Sequence, residues 1–198
     1  RRVPSSVLRD GYSRGMSTET WTLDASDGGQ LAVRTDVAGK ASKMGHRLTI
    51  AVTSWTATVE WSGDAPTTVT LTAEVSSLDV VHGEGGLTPL IGPEKIVAKA
   101  NALKSFDAGT YPSIRFRSTE ITAVDAGFRL AGTAEIHGVS REITVDVNVT
   151  DLRDRWHLVS ETVVRQSDYK ITPYSQMFGA MKVVDEVTVT FDAEYRKH

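Results

Sequence analysis

Residues 128–149, FRLAGTAEIHGVSREITVDVNV, decide the fold. Phe128, Leu130, Gly132, Ala134 and Ile136 alternate with Arg129, Ala131, Thr133, Glu135 and His137. After Gly138-Val139-Ser140, Ile143, Val145, Val147 and Val149 alternate with Glu142, Thr144, Asp146 and Asn148. A period of two puts one set on a buried face and the other toward water, so the stretch reads as two β-strands. Gly138 suits a tight turn with positive φ, a conformation that bars most side chains. Gly132 and Ala134 on the apolar face should leave space inside the fold.

The same grammar recurs along the chain. Strands are expected at 20–24, 30–37, 46–61, 68–76, 113–122, 155–165 and 183–195. Between Val52 and Trp55 the apolar parity flips, which signals a bend or break at Thr53-Ser54. One helix is expected near residues 93–103. Pro93 stands in its first turn, Glu94 and Lys104 suit its dipole, and Ile96, Val97, Ala100 and Leu103 form its apolar stripe. Short strands, regular turns and no interleaved helices mean an antiparallel sandwich or barrel.

The chain has 198 residues, 40% hydrophobic and 24% charged, which suits one globular domain with a sizeable core. It lacks cysteine, which excludes disulfides, thiolate nucleophiles and Cys-based metal sites. No apolar run approaches the ~20 residues that cross a bilayer. Residues 1–17 read as a flexible N-terminal extension and 18–198 as the domain. The first fifteen residues hold four arginines and one aspartate, leaving 18 basic against 24 acidic side chains, a net of −6, in the remainder. Such a body argues against a nucleic-acid partner, since phosphate binding needs concentrated Lys and Arg, and against standing adsorption to an anionic membrane. The extension lacks the apolar core of an intact secretory signal, so a cytoplasmic location is expected unless a leader was removed.

Catalytic constellations are few. His46, His82, His137, His157 and His198 stand in no metal spacing, and the chain has neither a GxSxG elbow nor a phosphate loop. His46 lies in phase with Leu48, Ile50 and Val52. It is a hydrogen-bonded rim residue, a contact for a ligand head group, or, with an inward carboxylate or hydroxyl, a base. Trp55 and Trp61 either fill a core or line a cavity, because a barrel of about eight strands can hold one small ligand. Met177, Phe178 and Met181 read as core plugs or as an adaptable apolar wall. The glycines of 83–92 and the irregular stretch 166–182 are candidate gates.

Four segments carry a family resemblance. They are TWTLD (20–24) with MGHRLTI (44–50), NALKSFDAGTYPSIRF (101–116), LAGTAEIHGVSREITVDV (130–147) and QSDYKITPYSQMFGAMKVVDEV (166–187). In order and spacing they resemble the YceI-like family of polyisoprenoid-binding, lipocalin-like barrels. Ala134 and Ser140 stand where that family commonly has Leu and Thr. The resemblance implies an antiparallel eight-stranded barrel with one helix at its end, enclosing a long apolar tunnel. It implies non-catalytic binding, sequestration or transport of an isoprenoid quinone, polyprenyl chain or fatty-acid-like lipid, with no cofactor and with a homodimer as the expected assembly. The expected lining is Leu48, Ile50, Val52, Trp55, Val59, Leu71, Phe116, Phe128, Leu130, Ile143 and Val145, with His46 and Tyr174 as head-group candidates. A barrel with a filled core, serving a structural or partner-binding role, and a small hydrolase or isomerase using His46 are the competing readings.

Overall fold

A computed structural model describes residues 18–197. The proposed extension, Met16 and His198 lie outside the described residues. The strands are β1 (Thr18–Asp24), β2 (Gln30–Arg34), β3 (Val37–Ala38), β4 (His46–Val52), β5 (Trp55–Ser62), β6 (Ala65–Glu74), β7 (Leu78–Gly85), β8 (Ser113–Val124), β9 (Gly127–Ile136), β10 (Val139–Asp151), β11 (Arg155–Arg165), β12 (Ser175–Gln176), β13 (Met181–Val183) and β14 (Glu186–Arg196). The helix α1 spans Gly92–Ser105. Among the described residues, eleven strands form one antiparallel sheet in the order β1-β5-β6-β8-β9-β10-β11-β14-β2-β4-β7. β12, β13 and β3 form a second, small sheet.

The eight-stranded barrel expected from the sequence is therefore corrected to a strongly curled eleven-stranded sheet. The physical reason is interruption of long strands. The 3₁₀ turn Ala25–Asp27 separates β1 from β2, Thr53-Ser54 separates β4 from β5, and the 3₁₀ turn Val75–Ser77 separates β6 from β7. Each half can then bend toward a different neighbour: β1 pairs with β5, whereas β2 pairs with β14 and β4. The parity flip in the sequence marks the break at Thr53-Ser54 correctly.

The hairpin of the opening stretch forms as read. Val139 pairs with Ile136, Ile143 with Gly132 and Val145 with Leu130. His137 and Gly138 fill its turn with φ of 52° and 69°, the pair of positive values that a two-residue turn needs to match strand twist. A Cβ at Gly138 would lie 2.5 Å from the Tyr111 ring, and that ring packs 4.4 Å from His137. Gly132 departs from expectation. The space above it is not open, because an added Cβ would meet the Arg117 carbonyl at 2.4 Å and the Phe116 ring at 2.7 Å.

β7 was not legible in the sequence, which reads as loop from residue 82. Leu78 and Val80 bury their side chains, but a bulge in the pairing with β4 then hides the alternation. The glycine there serves close packing: a Cβ at Gly83 would lie 2.6 Å from the Leu90 side chain. α1 covers β7, tied by Lys95 Nζ donating to the Val81 carbonyl at 2.8 Å and by Lys99 near Asp79 at 3.5 Å. Its packed face is Ala98, Ala102 and Leu103, while Ile96, Val97 and Ala100 are exposed. The expected apolar stripe is thus rotated outward, and the helix offers the sheet mainly small side chains.

Candidate functional site

The concave face of the sheet holds two half-open apolar chambers. The first has a volume of about 630 Å³ and the second about 550 Å³, both inside the roughly 300–1,000 Å³ range of small-molecule sites. Period-two alternation builds the first chamber. Phe128, Leu130, Ala134 and Ile136 on β9 and Ile143, Val145, Val147 and Val149 on β10 face it, as the hairpin's parity requires. Val59, Leu71 and Phe116 join them from β5, β6 and β8.

The second chamber lies under α1 and beside the small sheet. His46, Leu48 and Ile50 line it from β4, Tyr174 and Met181 from the chain around β12 and β13, and Ala98 and Ala102 from the helix. Adjacent inward positions assign the order of the chambers. On β14, Val187 borders the second and Val189 the first, a step of two residues or roughly 7 Å. On β2, Val33 and Leu31 divide in the same way. The chambers therefore adjoin along these strands.

On the opposite wall they are separated. Val52 and Trp55 border neither chamber and are buried, 6% and 4% exposed. Ala73 and Val75 occupy the matching level of the next strand pair and are also buried. Trp55 reaches across to Phe191, ring centroids 5.3 Å apart. The single long tunnel implied by the resemblance is thus two chambers with a packed belt between them. Of the thirteen expected contacts, seven line the first chamber, four line the second, and Val52 and Trp55 belong to the belt.

The polar groups are sparse and specific. His46 Nε2 pairs with the Thr88 carbonyl at 2.8 Å. Among the described residues no carboxylate or hydroxyl hydrogen-bonds to His46, so the base-carboxylate arrangement that an enzyme reading requires is not formed. Tyr174 at the second chamber accepts a hydrogen bond from the Gln176 amide. At the far end of the first chamber sits an aromatic group: Trp21 stacks on Tyr195 at 4.2 Å and packs at 4.5 Å from Trp61, and Trp61 packs edge-on to Phe128. Trp21 Nε1 donates to Glu19 Oε1 at 2.7 Å. Trp61 Nε1 is buried with no hydrogen-bond partner among the described residues, as are Trp55 Nε1 and the Tyr169 hydroxyl; of the three, Trp61 lines a chamber. A buried indole N–H ordinarily finds an acceptor.

Several lining residues escaped sequence reasoning. Trp156, Leu158, Ser160, Thr162 and Val164 all face the first chamber from β11. Ser160 and Thr162 interrupt the apolar series, so periodicity ended at Leu158. Trp61, read with Trp55 as filling a core or lining a cavity, lines the first chamber, whereas Trp55 does not. Trp21 and Leu23 alternate within TWTLD, but a five-residue segment is too short to fix which face is inward. Met177 and Phe178, read as core plugs or pocket wall, are exposed, and only Met181 of that trio faces a chamber.

Residues 21–195 match the YceI-like domain family. The chain belongs to the YceI-like family. Members of this family are generally non-catalytic binding proteins, and it is known as polyisoprenoid-binding. The fold of this YceI-like chain is similar to BcnA of Burkholderia cenocepacia, with a TM-score of 0.65 at 17% identity over 85% of this chain and 96% of that one. It is also similar to the YCEI protein of Campylobacter jejuni, with a TM-score of 0.55 at 16% identity over 75% of this chain and 84% of that one. No curated protein sequence matches the chain. Among the described residues, no helix is long and apolar enough to cross a membrane.

Proposed function

We propose that the protein binds one long-chain lipid, isoprenoid or fatty-acyl, with its hydrocarbon in the first chamber, and so acts as a carrier or sequestering protein. The observation that carries this reading is a half-open space of about 630 Å³ walled mainly by Val, Leu, Ile, Phe and Trp, with Glu19, Asp64 and Arg115 the charged residues among its lining. A hydrocarbon chain gains about 0.8 kcal/mol for each CH₂ removed from water. Useful affinity therefore needs no network of polar contacts. The same arithmetic makes selectivity for chain length modest.

The unpartnered Trp61 N–H supports an oxygenated ligand, since a quinone carbonyl or a carboxylate would supply the missing acceptor. Leaving such a donor unpaired in a buried site costs about 1–3 kcal/mol. A filled-core barrel is disfavoured by the two chambers. An enzyme using His46 is disfavoured by its pairing with a backbone carbonyl.

The test is native mass spectrometry of detergent-free protein offered an isoprenoid quinone and palmitic acid. The expected result is a one-to-one complex with either. Protein that stays empty with both overturns the proposal.

A further inference from the structure

We infer that the mouth of the second chamber is a docking surface for an anionic lipid bilayer, an inference that rests on the carrier reading and adds where its cargo is exchanged. The mouth has two lips. The small sheet and its loops form one, and Met44, Tyr174, Gln176, Met181 and Lys182 of this lip line the chamber. The start of α1 forms the other through Pro93, Glu94 and Val97.

The tip joining β12 to β13 is built against ordinary preference. Phe178 is fully exposed and Met177 more than half exposed. Both have left-handed backbones, with φ of 54° and 53°. That conformation favours glycine or asparagine and costs bulky residues. The backbone fixes this apolar pair in water, between the chamber-lining Gln176 and Met181, where both side chains would gain from an apolar surrounding. Val97 and Ile91 are exposed on the facing lip, so apolar side chains flank the mouth on both sides.

Charge selects the partner. Lys182 lies on β13, which pairs with β3, and the loop carrying Lys40 and Lys43 follows β3. That loop is fastened to the tip: Ala41 N donates to the Ala180 carbonyl at 2.8 Å, and a Cβ at Gly39 would lie 2.3 Å from the same oxygen. None of the three lysines makes an ion pair among the described residues. Three unpaired cations beside an exposed Phe, on a chain of net charge −3, are complementary to anionic headgroups above an acyl layer. Each lysine near an anionic surface strengthens binding by roughly fivefold at low salt. A lipid leaving the bilayer would pass between the lips into the second chamber without crossing water, and on to the first along β2 and β14, where Val33 and Val187 of the second chamber adjoin Leu31 and Val189 of the first.

The test uses the full chain in co-sedimentation with vesicles of phosphatidylcholine alone or with about one-third phosphatidylglycerol. The variants are Phe178→Asp and the pair Lys40→Gln, Lys43→Gln; none of these residues lines a chamber. Uptake of palmitic acid without vesicles is measured in parallel by native mass spectrometry. The expected result is binding to the anionic vesicles at least tenfold above the neutral ones, falling with salt. Each variant should lose tenfold or more, with palmitate uptake unchanged. Absence of vesicle binding by the unaltered protein, or binding that survives Phe178→Asp, overturns the inference and leaves a protein partner as the occupant of this lip. Failure of palmitate uptake instead overturns the carrier reading, and the vesicle arms still judge the docking surface by themselves.

Discussion

Val145→Phe is the sharpest perturbation of the first chamber. Val145 lies on β10 opposite Leu130, lines the chamber, and is part of neither packed core cluster. A phenyl ring there should occupy room that a ligand chain uses, with little strain on the wall. Excluding about three methylenes at about 0.8 kcal/mol each removes about 2.4 kcal/mol of binding, or roughly fiftyfold in Kd. Val163→Phe is the matched control, because Val163 stands on the same sheet, faces outward and is 62% exposed. The assay is displacement of a fluorescent fatty-acid probe, with thermal unfolding to verify that both variants fold. Folded Val145→Phe protein that binds within twofold of the unaltered chain would refute the placement of the ligand.

Trp55→Ala should merge the two chambers, destabilise the protein by about 3–5 kcal/mol in urea unfolding, and raise relative affinity for longer chains. Trp61→Phe should leave affinity for a plain alkane probe nearly unchanged but weaken an oxygenated analogue by roughly five- to tenfold, the value of one hydrogen bond at about 1–1.5 kcal/mol. Gly132→Ala should destabilise by about 1–3 kcal/mol, because its Cβ would press on the Arg117 carbonyl and the Phe116 ring, as urea unfolding would register. Acid should weaken the fold. The Ser167 hydroxyl holds the Asp185 carboxyl below its usual range, and the Arg129 guanidinium does the same for Asp146. A depressed folded-state pKa adds stability above the unfolded value near 3.9, lost as pH falls through the lower folded one. Urea midpoints should therefore be flat from pH 7 to about 5 and decline below about 4.

The inner wall of the fold was legible wherever alternation ran unbroken. β9 and β10 announce their own inward residues, and all of them but Gly132 face the first chamber. The parity flip between Val52 and Trp55 revealed the break in that strand. It could not reveal that the halves on either side pair with different neighbours, because partner choice depends on residues far away in the chain. Bulges and hydroxyls defeated the reading elsewhere: β7 shifts register after its buried pair, and Ser160 and Thr162 disguise an inward face. The belt through Trp55 was invisible for another reason. A large aromatic on an inward position satisfies the same pattern whether it lines a cavity or divides one. The exposed tip at Met177 and Phe178 was misread because apolar composition alone signals burial, and only the backbone conformation shows these residues turned outward.

Occupation of the first chamber by a hydrocarbon chain is the central claim. A crystal structure of the protein loaded with palmitic acid or an isoprenoid quinone tests this directly. The expected result is continuous chain density against Phe128, Val145 and Val147, with the ligand's oxygen directed toward Trp61 Nε1. Side chains collapsed into the space, with lipid absent or bound only outside the sheet, would contradict it.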